Sequence, residues 1–229
     1  MKIVAISDTH GRDFGPLIPE CDTLLIGGDI SPTTFHDLEF QKQWLFDTFI
    51  PYLKDIPAKN IVFIAGNHDF YLYKLYTEYN EISLRDKLPE NIFYLRDSFV
   101  KIDNVKIYGT PWVINLKNWA FNLKSKTDER YTYDLVTNDV DILLSHAPAY
   151  NFCDTILEYN EVIPLGSRLL FESIKAKRPR LVLNGHIHSA SHEPKNILGT
   201  EFRCISLLDE KYQIHYKPYV FDYPLTNNL

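Results

Sequence analysis

Five short apolar runs, Lys2 to Ser7, Thr23 to Ile26, Asn60 to Ala65, Val140 to Ser145 and Arg180 to Leu183, constrain this chain more than any other feature of its sequence. They are of strand length and near-continuous rather than alternating, the pattern of strands buried on both faces. Sheets of that kind need helices over them. Leu38, Phe40, Trp44, Leu45, Thr48, Phe49 and Tyr52-Leu53 recur every three to four residues and predict a helix over 36–56, kinked or broken at Pro51. Leu169, Leu170 and Ile174 predict an amphipathic crossover helix over 167–177, and 118–122 and 128–137 read as further helical stretches. The expected class is α/β.

The intervening segments read as follows. Phe70 to Tyr76, dense in aromatics, is a loop or short helix near the strand ends. Ile92–Leu95, Phe99–Ile102 and Val105–Tyr108 are short strands of one meander, with a turn at Asp103-Asn104. Thr200–Leu207 and Tyr212–Tyr216 are closing strands, and Tyr219–Leu229 is a tail. With 229 residues and no internal repeat, low-complexity segment or linker, the expectation is a single domain over 1–229.

Every apolar run ends on residues able to bind a metal. Asp8 and His10 follow the first, Asp29 the second, Asn67 the third within Gly66-Asn67-His68-Asp69, His146 the fourth, and His186 and His188 the fifth. In open α/β sheets ligands bind beyond the carboxyl ends of the strands. Singly, each motif has a plain alternative: Asp-x-His is a common turn composition, and the Asn67 tetrapeptide could be a polar turn with a surface histidine. Together the five ends supply seven nitrogen and oxygen ligands, too many for one ion and suited to two. The period of two along extended backbone places Asp8 beside His10 and His186 beside His188, with Ile187 turned into the core. The same period separates Asn67 from His68, so Asn67 holds metal while His68 faces whatever the metal activates. Asp29, alone on its loop, is the expected bridge.

Composition narrows the partners. Lys and Arg number 24 against 30 Asp and Glu, a formal charge of -6, and no basic block is present. A nucleic-acid or anionic membrane surface therefore has no electrostatic support, and any phosphate site must be local. No run approaches the ~18 apolar residues of a membrane span, and no signal-type apolar segment follows Met1-Lys2. Cys21, Cys153 and Cys204 lack metal-site spacing and cannot pair completely. A cytoplasmic, reducing setting is expected. Carboxylate, amide and imidazole ligands without thiolate are compatible with Mn, Fe, Zn, Ni or Co; availability rather than ligand softness chooses among them, and manganese is the expectation. Nothing in the pattern speaks to oligomeric state.

The motifs DTH, GD, GNHD, a lone strand-end histidine and GHIH, in this order from Asp8 to His188, resemble the calcineurin-like metallophosphoesterase family. Ile107 to Trp112, Trp119 to Asn122 and the segment from Leu165-Gly166-Ser167 to His188 resemble its small, phosphodiesterase-like metallophosphoesterase-domain branch. Gly11-Arg12 after the first motif departs from that branch, as does Ser189 where an acidic residue is usual. The resemblance implies two facing mixed β-sheets flanked by helices, with the site on loops at one edge. It also implies that Asp8, His10 and His188 hold one divalent ion, that Asn67, His146 and His186 hold another, and that Asp29 bridges them. His68 would donate a proton or hydrogen bond to the ester, oriented by Asp69.

The expected function is that of a dimetal phosphoesterase in which a metal-activated hydroxide attacks phosphorus in line. A phosphodiester is the expected preference. A dianionic monoester calls for guanidinium forks, and the arginines that accompany GD and GNH in the Ser/Thr protein phosphatases of the superfamily are absent here, where Ile30-Ser31-Pro32-Thr33 and Ala65 stand. Arg12 is the one arginine adjacent to a motif. With Asn67 and His68 it is an expected contact for a small, nucleotide-like ester, and Tyr71, Tyr73, Trp112 and Trp119 lie on segments that could line its pocket. The alternatives are a phosphomonoesterase on the same site and a non-catalytic interaction scaffold on the same fold. A scaffold would be expected to have lost ligands, and all seven are present.

Overall fold

The computed structural model describes all residues except 35, 80–81, 159–160 and 225–229. The first three runs become β1 (Lys2–Ile6), β2 (Cys21–Ile26) and β3 (Ala58–Phe63), paired in parallel, with β4 (Ile92–Tyr94) parallel to β3. After β5 (Ser98–Ile102), β6 (Val105–Thr110) and the two-residue strands β7 (Val113–Ile114) and β8 (Asn122–Leu123), the fourth run becomes β9 (Ile142–Ser145). A hairpin of β10 (Thr155–Glu158) and β11 (Glu161–Pro164) precedes the fifth run, β12 (Leu181–Asn184). The chain closes with β13 (Lys195–Ile197), β14 (Thr200–Cys204) and β15 (Tyr219–Asp222). Two large sheets result, in the orders β15-β1-β2-β3-β4 and β13-β14-β12-β9-β6-β5. Both are mixed, because β15, β13 and β5 run antiparallel to their neighbours.

The helices are α1 (Leu38–Trp44), continued through a π-helical turn over Leu45–Phe49 into α2 (Ile50–Leu53), then α3 (Phe70–Thr77), α4 (Ile82–Arg85), α5 (Lys126–Asp134) and α6 (Arg168–Lys177). Successive side chains alternate across a strand, and this sorts the buried residues into layers. Ile3, Ala5, Leu25 and Val62 meet Ile107, Ile142, Leu144, Leu181 and Leu183 between the sheets. Val4, Ile6, Leu24, Ile26, Ile61 and Phe63 turn the other way, onto Leu45, Phe49, Leu53, Leu72 and Leu75. Beyond the second sheet, Tyr108, Leu143, Val182 and Phe202 lie under Tyr133, Leu170 and Ile174 of the α5 and α6 layer. Both faces of the central strands are thus apolar, which is why the runs do not alternate. The α/β class with two facing mixed sheets flanked by helices is the architecture found.

Several local expectations are corrected. The helix begins at Leu38, because Asp37 caps it by accepting from Phe40 N at 2.8 Å; His36 is left outside. Pro51 does not break it: the π turn, closed by Ile50 N to Leu45 O, puts the missing amide in the first turn of α2. The three-strand meander does not form, since β4 joins the first sheet and only β5 and β6 pair, in the second. The 118–122 segment is a turn rather than a helix, with Asn118 and Phe121 left-handed. Tyr212–Tyr216 is not a strand, because Asp209 Oδ1 gathers the amides of Lys211 and Gln213 into a loop. The supposed tail contributes β15, in register Ile3 to Phe221; residues 225–229 lie outside the described residues. No helix among the described residues is long and apolar enough to cross a membrane.

Candidate metal centre

The ends of β1, β2 and β3 in one sheet and of β9 and β12 in the other converge on one edge. The loop after β1 lies along the loop after β2, with Asp8 N donating to Gly28 O (3.0 Å), His10 N to Asp29 O (2.9 Å) and Gly11 N to Ile30 O (2.8 Å). Asp8, His10, Asp29 and His186 all have positive φ, of 54°, 45°, 49° and 71°. Left-handed backbone costs a non-glycine residue about 1–2 kcal/mol, so the surroundings must impose it. They do: His186 N donates to both oxygens of Asp8 (3.0 and 3.1 Å), tying one sheet to the other, and His68 N donates to Asp29 Oδ1 at 2.7 Å. These pairs therefore share a site because of left-handed turns, not through the extended period of two. Asn67 and His68 likewise sit in a turn, closed by Asp69 N to Gly66 O at 3.2 Å. Glycine at 66 and 185 is dictated by crowding. A Cβ on Gly66 would overlap the Asp29 carboxylate and the His146 ring, and one on Gly185 would overlap Asp8 and Ser7.

Imidazole nitrogens surround the two carboxylates. Asp29 Oδ2 lies 3.4 Å from His146 Nε2, 3.8 Å from His10 Nε2 and 4.0 Å from His68 Nε2. His188 Nε2 is 3.6 Å from Asp8 Oδ1 and 3.4 Å from His10 Nε2, and Asn67 Oδ1 is 3.1 Å from His146 Nε2. His186 is set by its ring, 5.1 Å from that of His146. Three overlapping groups have ligand atoms close enough for an ion: Asp8, His10 and His188; His10, Asp29 and His68; and Asp8, Asp29 and His146. Asp8, His10 and Asp29 each belong to two of them, so the groups share ligands. His68, expected to stand outside the ligand set, belongs to one.

The electrostatics ask for cations. Burial alone would raise both carboxylates, yet Asp8 is held low, chiefly by the hydrogen bond and charge of His188, and Asp29 is held well below its usual range, chiefly by the charges of His146 and His68. Against burial, the charge of Asp29 pushes His146 up to about 9, and the hydrogen bond to Asp8 pushes His188 up to about 9. Burial wins at His10, pulled down to about 4, and at His186, pulled down to about 3. Without metal, protons on His146 and His188 supply the positive charge, and among the described residues no Lys or Arg lines the cleft. This set of oxygen and imidazole donors around two carboxylates suits a dinuclear divalent centre.

The cleft over these groups has a volume of about 360 Å³ and is walled by Leu116, Trp119, Ile156, Ile187, Tyr212 and Glu210. Ile187 is buried against Cys153, Ala190 and Cys204 as well. Of the four aromatic residues considered from sequence, Trp119 alone lines this cleft, its ring 4.4 Å from that of His68. The turn that replaced the expected helix puts it there, and Ala120 N donates to Asn67 O at 3.2 Å. Arg12 does not reach the cleft. The turn at Gly11 (φ 74°), closed by Arg12 N to Thr9 O, carries it to a separate cavity with Trp44, Phe49 and Tyr52. Asp69 does not orient the His68 ring. Its carboxylate accepts from Ser31 N (2.9 Å), Ile30 N (3.3 Å) and Gly66 N (2.7 Å), stapling the loops that carry Asp29 and Asn67. Burial and the charge of Asp29 push it up to about 6. The partner of His68 is His36, Nε2 to Nδ1 at 3.3 Å. Sequence reasoning missed His36, Tyr212 and Glu210; a histidine directly before a helix-capping Asp was the available signal for the first.

Known proteins resemble this chain in sequence and in fold. The sequence model of the calcineurin-like phosphoesterase family matches residues 1–190. Metallophosphoesterase domain-containing protein 1 of Homo sapiens is 27% identical, covering 99% of this chain and 72% of its own length. A UPF0046 protein of Caenorhabditis elegans is also 27% identical, over 98% of this chain, which spans only 60% of that relative. Among solved structures, phosphopantetheinyl hydrolase of Mycobacterium tuberculosis superposes with a TM-score of 0.58 at 15% identity, covering 92% of this chain and 90% of its own. The protein TT1561 of Thermus thermophilus gives 0.57 at 17%, covering 96% and 98%. These likenesses concern the fold, whereas the family match spans every strand end that carries a candidate ligand, and by it the chain belongs to the calcineurin-like phosphoesterases.

Proposed function

We propose that this metal-dependent phosphoesterase prefers phosphodiesters. The observation that carries the reading is the cleft wall beyond the candidate ligands: aromatic and aliphatic side chains with Ser189 and one carboxylate, Glu210, and, among the described residues, no guanidinium or ammonium group. A dianionic monoester would meet no fixed fork there and would face Glu210, while a monoanionic diester has a second substituent for Trp119, Tyr212 and Ile187 to cover. In this reading Asp8, His10 and His188 hold one divalent ion, Asn67, His146 and His186 hold the other, and Asp29 lies between them. When bound, the ions supply Lewis-acid polarisation of the phosphoryl oxygens and a nucleophile available near neutral pH. Manganese is the ion we expect, chosen by availability among the ions this ligand set accepts. Asn67 and His68 flank the phosphoryl group, and His68 donates through Nε2 to the departing oxygen. The His68 ring lies 4.4 Å from that of Trp119, which supports a departing group on that side of the cleft. The fold acts as one domain, on a small ester substrate of nucleotide type.

The test is kcat/KM with Mn²⁺ for bis-p-nitrophenyl phosphate beside p-nitrophenyl phosphate. A clear advantage for the diester is expected; an advantage for the monoester overturns the preference. His68→Ala is expected to keep its metal while kcat falls about 10²–10⁴-fold, and a wild-type kcat would remove that role.

A further inference from the structure

The histidines of the centre differ in what their second nitrogen faces. His146 Nδ1 is 2.9 Å from the carbonyl of Gly27, and His188 Nδ1 is 2.9 Å from that of Asp209. A carbonyl can only accept, so each Nδ1 carries a hydrogen, which leaves each Nε2 as the nitrogen that would ligate an ion in place of its proton. His68 is arranged the other way. Its Nε2 looks at Asp29 Oδ2 from 4.0 Å, and its Nδ1 lies 3.3 Å from His36 Nε2, an imidazole nitrogen able to donate.

A neutral imidazole has one donor and one acceptor nitrogen. As the donor to the leaving oxygen His68 needs its hydrogen on Nε2, which leaves Nδ1 as an acceptor needing a donor. We infer that His36 is a positioning residue that donates to His68 Nδ1, fixes the Nε2–H tautomer, and so keeps His68 a donor into the cleft rather than an imidazole ligand of an ion beside Asp29. His36 is not among the residues lining the cleft, so it acts through His68. Its ring is steadied at 5.0 Å from Phe70 and 5.2 Å from Trp119, and it directly precedes the Asp37 cap of α1. The inference rests on the reading of His68 as the donor to the leaving oxygen.

Long-range ¹H–¹⁵N spectra of the full chain with ¹⁵N-labelled histidine, metal-free and with Zn²⁺, read the tautomers directly. His68→Ala assigns its signals. With Zn²⁺ bound, the expected result is hydrogen on Nε2 in His68 and on Nδ1 in His146 and His188; without it His146 and His188 carry hydrogen on both nitrogens. His36→Ala should turn His68 into a tautomer mixture, and His36→Gln, whose amide can donate, should restore it. In turnover of diesters with graded leaving phenols, His36→Ala should lower kcat by about 10–100-fold, most for the poorest leaving groups. KM and metal content should hold, with no further loss in the His68→Ala background. Hydrogen on Nδ1 of wild-type His68, or an unchanged His68 spectrum and kcat in His36→Ala, overturns the assignment. Full activity in His68→Ala would remove the donor role while the spectra still decide what His36 does.

Discussion

Asp69 offers the sharpest separation between two physical roles. Were it an orienting partner of His68, Asp69→Ala would lower kcat and leave the fold intact. The structure gives it a different duty, because its carboxylate accepts from the amides of Ser31, Ile30 and Gly66 and is fully buried. Truncation to Ala orphans three buried donors at about 1–3 kcal/mol each. Water entering the vacated space recovers part of this, so the working figure is the low end, about 3 kcal/mol. That is a large fraction of the ~5–15 kcal/mol by which domains are stable. The assay is urea unfolding of the EDTA-treated protein, which removes any contribution from bound metal. With a slope of about 3 kcal/mol/M, the midpoint should fall by about 1 M. An Asp69→Ala protein whose metal-free stability stays within about 0.5 kcal/mol of wild type, with normal metal content and depressed kcat, would refute the staple and restore the orienting role.

Three further outcomes follow from the same geometry. Asp29→Asn removes the charge within 4.0 Å of three imidazole nitrogens, so elemental analysis should show loss of at least one ion per chain together with activity. Trp119→Ala opens the cleft beside His68; metal content should be unchanged while KM for an aryl diester rises several-fold, and an unchanged KM would remove Trp119 from the substrate surface. His192 is stacked on Tyr216 at 3.7 Å with Nε2 unpartnered, and burial pulls it down to about 4. A histidine lowered below its unfolded value of 6.5 stabilises fully above that pH, and the stability drains as pH falls toward 4. His192→Phe should therefore gain in melting temperature relative to wild type between pH 6.5 and 4 and differ little at pH 8.

The sequence made the central strands plain because each lies between two apolar layers, and a continuous run such as Val140 to Ser145 has few other uses. Sheet membership was not legible. β4 and β5 are both short apolar segments, and nothing in Ile92–Tyr94 or Ser98–Ile102 says that the chain changes sheets between them. β15 was lost because only Phe221 of its four residues is buried, a pattern that a tail also shows. The candidate ligands could be located since each follows a strand end, but the geometry that unites them arises from left-handed turns at Asp8, His10, Asp29 and His186, where a period-two argument has no force. Asp69 and Arg12 were misplaced for one reason: adjacency in sequence says nothing about which way a turn sends a side chain.

The central claim is a pair of ions held on either side of Asp29. Anomalous diffraction from crystals grown with Mn²⁺ tests it most directly. The account predicts two peaks about 3.5–4 Å apart, one among Asp8, His10 and His188, one among Asn67, His146 and His186, with the Asp29 carboxylate between them and His68 Nε2 bound to neither. A single peak, or two peaks with His68 as a ligand and Asp29 on one ion only, would contradict it.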